Sequence, residues 1–180
     1  MKLTPHFSLE EMVKSQTAAR KGIPNVPTEA HIKAMEKLCL NVLEPVRIQY
    51  GIAFSPSSGY RSGELCVAIG SSVNSQHAKG EAADFEVPGV NNLEVAGWIA
   101  ANLDFDQLIL EHYEGGNTGW IHCSYKGQGN RKEVLTFDRK NKYRKGLIAQ
   151  SSRTRAFFLP LPRITQPRRS SAARCFATFD

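Results

Sequence analysis

Of everything in the chain, the stretch Ser75-Gln76-His77-Ala78-Lys79-Gly80-Glu81-Ala82-Ala83-Asp84, with the later Trp120-Ile121-His122, most restricts what it can fold into. His77 lies in a polar, glycine-containing loop, residues 75–80, directly before a strand candidate that presents Asp84. His122 lies in an aromatic strand candidate of its own. A loop and a strand can converge two ligands, and a second rigid strand can deliver the third. Two neutral imidazoles and one carboxylate suit a borderline-soft Zn²⁺, and three protein ligands leave the fourth tetrahedral position to a water. An open position implies catalysis.

The rest of the chain supplies a frame for such a site. Ser8 followed by Glu11 is a capping box with Phe7 and Met12 as its hydrophobic staple, so a short helix begins at Leu9. Thr28 caps a longer helix whose apolar positions Ile32, Met35, Leu38, Cys39, Val42, Leu43 and Val46 recur at three and four residues, with Pro45 expected to kink or shorten its end. Ile52 to Phe54 is a short strand candidate and Ala82 to Val87 a second. Period-two geometry then puts Ala82, Asp84 and Glu86 on one face and Ala83, Phe85 and Val87 on the core face. Asn91 or Asn92 caps a helix from Leu93 to Leu103, and a hairpin of Gln107–His112 and Gly119–Tyr125 follows.

Composition narrows the partners. The formal charge of +6 resembles a nucleic-acid signal until it is located: six arginines and one aspartate follow residue 149, so residues 1–149 carry only +1. No specific nucleic-acid partner is expected, and the sequence sets no oligomeric state. Residues 149–180, rich in Arg, Ser and Pro, read as a disordered tail behind a folded domain of residues 1–148. The four cysteines form no C-x-x-C pair, so reduced thiols are expected. Met1 to Ser15 lacks the apolar core of a signal peptide and no run approaches a membrane span, which predicts synthesis in the cytoplasm.

Ser58-Gly59-Tyr60-Arg61-Ser62, S-x-H-x-x-G-x-A-x-D at 75–84 and W-x-H at 120–122 occur in the order found in D-alanyl-D-alanine carboxypeptidase-like zinc peptidases. The chain resembles the compact, phage-associated branch of that family over roughly residues 5–145, including His6 to Glu11 and Phe105 to Ile109. The resemblance implies a hedgehog/DD-peptidase α+β fold, an antiparallel sheet carrying the metal site and helices packed on one face. It implies one zinc ion on His77, Asp84 and His122. Arg61 resembles the family arginine that contacts a substrate carboxylate or the developing oxyanion. Ser75 is a candidate for substrate binding and equally a turn residue.

The general base is less directly marked. Family members place an acidic residue or a histidine shortly before the last ligand, in some cases three residues before it, and Gly119 stands there. Glu111 is the candidate, because its strand parity opposes Leu108 and Leu110 and so faces the site. Glu114 and His112 are weaker substitutes, His112 because its parity matches the leucines. Cys66 stands where the family pattern has an asparagine. Cys123, beside His122, points to the opposite face as a buried thiol. His6 and His31 receive no role.

The expected function is zinc-dependent hydrolysis of peptidoglycan stem peptides, as a D-Ala-D-Ala carboxypeptidase or a stem endopeptidase. A cytoplasmic start is reconciled with a wall substrate if an endolysin-like protein is released at phage lysis or carried in the virion. The rival is a non-catalytic module of the same fold, stabilised by zinc.

Overall fold

The capping residues read from the sequence start the helices where expected. Ser8 and Glu11 close a reciprocal capping box at the head of α1 (Leu9–Val13), with Phe7 and Met12 both fully buried beneath it. Ser15 caps α2 (Gln16–Lys21). Thr28 caps α3 (Glu29–Leu38), with His31 reaching back to the Thr28 backbone. The computed structural model describes residues 1–137 and 142–149. The tail assigned to residues 149–180 lies, from residue 150 on, outside the described residues, as does Cys175.

Pro45 does not end the long helix. A π-helical turn, Cys39–Leu43, joins α3 to α4 (Glu44–Tyr50), and the Glu44 N–H bonds back to the Cys39 carbonyl five residues earlier. Pro45 has no N–H to offer and its ring crowds the preceding turn, so a widened turn just upstream lets the helix continue to Tyr50. The buried stripe Met35, Leu38, Cys39, Val42, Leu43 and Val46 therefore runs unbroken through both parts. The chain then passes through α5 (Gly63–Ala68), capped by Ser62, and a 3₁₀ turn, Gln76–Lys79, capped by Ser75. Asn91 caps α6 (Asn92–Asn102).

Five strands form one sheet: β1 (Ala82–Phe85), β2 (Gln107–Glu111), β3 (Trp120–Ser124), β4 (Glu133–Phe137) and β5 (Tyr143–Lys145), in the order β1-β3-β2-β4-β5. The strands that carry the cluster are antiparallel as expected, β1-β3 and β3-β2, and β4-β5 is antiparallel too, but the antiparallel sheet is corrected in one pair: β2 and β4 run parallel. The fold is mixed α+β. Ile52 to Phe54 forms no strand; Phe54 instead packs its ring on Phe85 and Phe7, and the edge of β1 is bridged by Ser58.

Register assigns each sheet face. Ala83, Phe85, Leu108, Leu110, Ile121 and Cys123 are buried together against the stripe of α3 and α4 and against Val95, Ala96 and Ile99 of α6. On the other face, Asp84 lies opposite His122, which lies opposite Ile109. Alternation thus separates an apolar core from a polar site across a single sheet.

Candidate metal centre

The sheet delivers two of the three clustered groups and a loop delivers the third. Asp84 and His122 are cross-strand partners, and the 3₁₀ turn drops His77 over them. Gly80 ends that turn at φ +73°, and a Cβ there would lie 2.6 Å from the His31 carbonyl, so the glycine lets the loop approach α3. The three side chains are buried and their donor atoms form a triangle. His77 Nε2 is 3.2 Å from His122 Nδ1, His122 Nδ1 is 2.9 Å from Asp84 Oδ1, and His77 Nε2 is 3.2 Å from Asp84 Oδ1.

These residues fit a zinc ion. Donors bound tetrahedrally at roughly 2.0–2.1 Å lie about 3.3 Å apart, close to the edges of this triangle. His77 donates its Nδ1–H to the Gly59 carbonyl at 2.7 Å, which fixes the tautomer that turns the Nε2 lone pair inward. Burial lowers the pKa of His77 despite the opposing influence of Asp84, so the imidazole is neutral at neutral pH, as a ligand must be. Burial alone would raise the pKa of Asp84, but hydrogen bonding and charge from His122 and His77 hold it well below the usual carboxylate range.

The segment 57–61 builds the wall behind the cluster. Asp84 exchanges backbone hydrogen bonds with Ser57 and Ser58, and Tyr60 N–H is anchored on the Met12 carbonyl at 2.7 Å. Asn25 ties the same segment together, donating to the Val13 and Tyr60 carbonyls and accepting from the Ser62 N–H. Arg61 is held by this frame: Nη2 donates to Asp84 Oδ2 at 2.7 Å and Nε to Ser58 Oγ at 2.9 Å. The guanidinium therefore braces the ligand carboxylate, leaving Oδ1 for the histidines. Ser75 Oγ accepts from the His77 N–H and so serves the turn, while the residue also lines the cleft.

The cluster opens into a cleft of about 550 Å³ lined by Arg61, Ser75, Gln107, Glu111, Trp120 and Tyr143 among others. The model of the peptidase M15 family matches residues 5–124. The chain belongs to the peptidase M15 family. No curated protein matches the chain. Family membership and the buried His-Asp-His cluster together support a metallopeptidase.

Within this M15 chain, Gly119 explains the departure three residues before His122. It adopts φ +68°, and a Cβ would fall 1.9 Å from the Glu111 carbonyl, so no side chain fits there. Glu111 lines the cleft instead, and burial followed by the Asp84 charge raises its pKa. A carboxyl shifted upward in a cleft has the character of a proton carrier. His112 corrects the parity argument: its φ of +51° breaks the strand, and its ring lies tilted against Trp120 and edge-on to Phe137, on the site side. Glu114 lies exposed in the turn, outside the cleft lining.

The three thiols among the described residues are structural. Cys39, Cys66 and Cys123 are buried and free; burial pushes Cys39 up to about 12 and raises Cys66 and Cys123 as well. His6 pairs with Glu44 and His31 completes the α3 cap, so both serve the scaffold. Sequence reasoning did not identify Gln76, Asp106 or Tyr143. Asp106 is fully buried, and Gln76, next to His77, donates to it at 2.9 Å, tying the metal loop to the start of β2. No local pattern announces that pairing.

Proposed function

We propose that this protein is a zinc-dependent peptidase of bacterial peptidoglycan stem peptides, acting as a D-Ala-D-Ala carboxypeptidase or a stem endopeptidase on a hedgehog/DD-peptidase type fold. The observation that carries the reading is the donor triangle of His77, Asp84 and His122 at the base of a cleft that also holds Glu111. Zinc bound there would polarise a peptide carbonyl and acidify a water. Glu111 takes the proton of the attacking water and returns it to the leaving amine, a task its raised pKa suits. Arg61 keeps Asp84 oriented and, lining the cleft, is positioned for the substrate carboxylate or the oxyanion. Ser75 offers its cleft wall to the same substrate. The stem-peptide substrate follows from the family motifs at 58–62, 75–84 and 120–122.

No helix among the described residues is long and apolar enough to cross a membrane. We place the protein's synthesis in the cytoplasm and its action at the wall, after release at phage lysis or as a virion component. The test is mass spectrometry of purified peptidoglycan incubated with zinc-loaded protein, with a chelated control and the Glu111→Gln variant. Metal-dependent release of D-alanine identifies a carboxypeptidase, and metal-dependent internal cleavage an endopeptidase. No change across wall chemotypes, with zinc bound, refutes catalysis and favours a binding module of the same fold.

A further inference from the structure

The match to the M15 family ends at Ser124, before β4 and β5 begin, yet the face that carries the cluster continues across both strands. Trp120 pairs with Glu111, Glu111 with Phe137, and Phe137 with Tyr143, so one cross-strand row crosses the sheet from β3 to β5. Cross-strand partners share a face and their side chains touch. The Tyr143 ring packs on Phe137 with centroids 4.7 Å apart, and His112 bridges Phe137 to Trp120 at 5.1 and 5.0 Å. Tyr143 and Trp120 both line the cleft beside Glu111. The Glu111 charge reaches the Tyr143 phenol, adding to burial in raising its pKa, so the hydroxyl stays a donor.

The same cleft also has lining residues of a different chemistry. Ser71, Ser72, Asn74 and Ser75 contribute hydroxyl and amide groups there. A cleft that offers both polar groups and aromatic rings can sort the parts of a peptide, backbone amides toward the hydroxyls and small alkyl side chains toward the rings. Tyr143 is nonetheless 61% exposed, an arrangement that leaves much of a rigid aromatic surface uncovered beside the cluster.

We propose that the paired strands β4 and β5 extend the substrate cleft and that Tyr143 is a substrate-binding residue, its ring against an alkyl side chain flanking the scissile bond and its hydroxyl donating to the peptide. The inference rests on the peptidase reading above and deepens it. The role predicts an effect on binding rather than on the chemical step.

The probe is a synthetic stem pentapeptide ending in D-Ala-D-Ala, used in two arms. In the first, hydrolysis by zinc-loaded wild type, Tyr143→Ala and Tyr143→Phe is measured; Tyr143→Ala raises KM about tenfold with kcat little changed, and Tyr143→Phe lies between. In the second, binding of the same peptide to zinc-loaded Glu111→Gln and Glu111→Gln/Tyr143→Ala is measured by calorimetry, and the second substitution weakens it by a similar factor. Unchanged KM in an active enzyme, or unchanged affinity in the binding arm, overturns the Tyr143 role and leaves the peptidase reading standing. Neither binding nor hydrolysis by wild type sinks both. The melting temperature controls for folding, and an exposed ring predicts little change in it.

Discussion

Asp106→Asn tests whether a buried charge holds the metal loop in place. Asp106 is fully buried and accepts hydrogen bonds from Arg131 Nε at 2.9 Å, Arg131 Nη2 at 2.7 Å and Gln76 Nε2 at 2.9 Å, with Lys126 Nζ at 3.0 Å. Breaking one partner out of a buried pair costs about 3–5 kcal/mol. Here the Arg131 side chain is half exposed and that of Lys126 about a third, so both cations rehydrate when the carboxylate goes. The expected loss is therefore about 2 kcal/mol near neutral pH.

The sign of the pH dependence is fixed. Burial alone would raise the pKa of Asp106, but the bonds from Arg131, Lys126 and Gln76 hold it far below the ordinary value. A depressed folded pKa gives stability that is present above the unfolded value, near ~3.9, and falls by about 1.4 kcal/mol per pH unit below it until the folded pKa is reached. Urea unfolding followed by tryptophan fluorescence should show wild type ahead of Asp106→Asn by about 2 kcal/mol at pH 7 and by less than about 1 kcal/mol at pH 3. An equal gap at both pH values would show that the ionised carboxylate is not what stabilises the fold, and the argument would fail. Because Gln76 precedes His77, zinc affinity measured at pH 7 should fall in the same variant.

Other substitutions probe the site more directly. Gly119→Ala forces a Cβ against the Glu111 carbonyl at a positive φ, and should cost at least ~2 kcal/mol by thermal or urea unfolding and disturb Glu111 with it. Arg61→Met leaves the ligands intact but frees Asp84 Oδ2, so calorimetric zinc affinity should drop about 10- to 100-fold; unchanged affinity would reject the bracing role. Zinc at a hundredfold excess over its dissociation constant should stabilise the protein by about 2.7 kcal/mol, and a chelator should reverse the shift; His77→Ala should abolish it.

The metal cluster was legible because its signal resides in side-chain type and strand parity. His77, Asp84 and His122 are spaced by a loop and two strands, and alternation alone puts Asp84 on the face opposite Phe85 and Glu111 on the face opposite Leu110. The helix starts at Leu9 and Glu29 were legible for a similar reason, since Ser8 and Thr28 carry their capping function in their own hydroxyls. Where the reading failed, the deciding atoms lay elsewhere in the chain. Ile52 to Phe54 has a strand's composition, but the edge of β1 was taken by Ser57 and Ser58, leaving Phe54 to pack on Phe85. Parity failed at His112 because one left-handed residue ends the alternation.

The bracing of the site was illegible for a stronger reason: much of it is made by main-chain atoms, which every sequence possesses. The Gly59 carbonyl sets the tautomer of His77, the His77 carbonyl accepts from the Arg61 N–H, and the Met12 carbonyl anchors Tyr60. Each link is long-range, so only the folded chain brings donor and acceptor together. The departure at Gly119 illustrates the consequence. Read along the chain, a glycine stands where some family members carry an acid; in the fold, that glycine is what fits beneath the Glu111 carbonyl, and Glu111 itself lines the cleft. The paired variants Gly119→Ala and Glu111→Gln should therefore fail differently, the first in stability and the second in turnover alone.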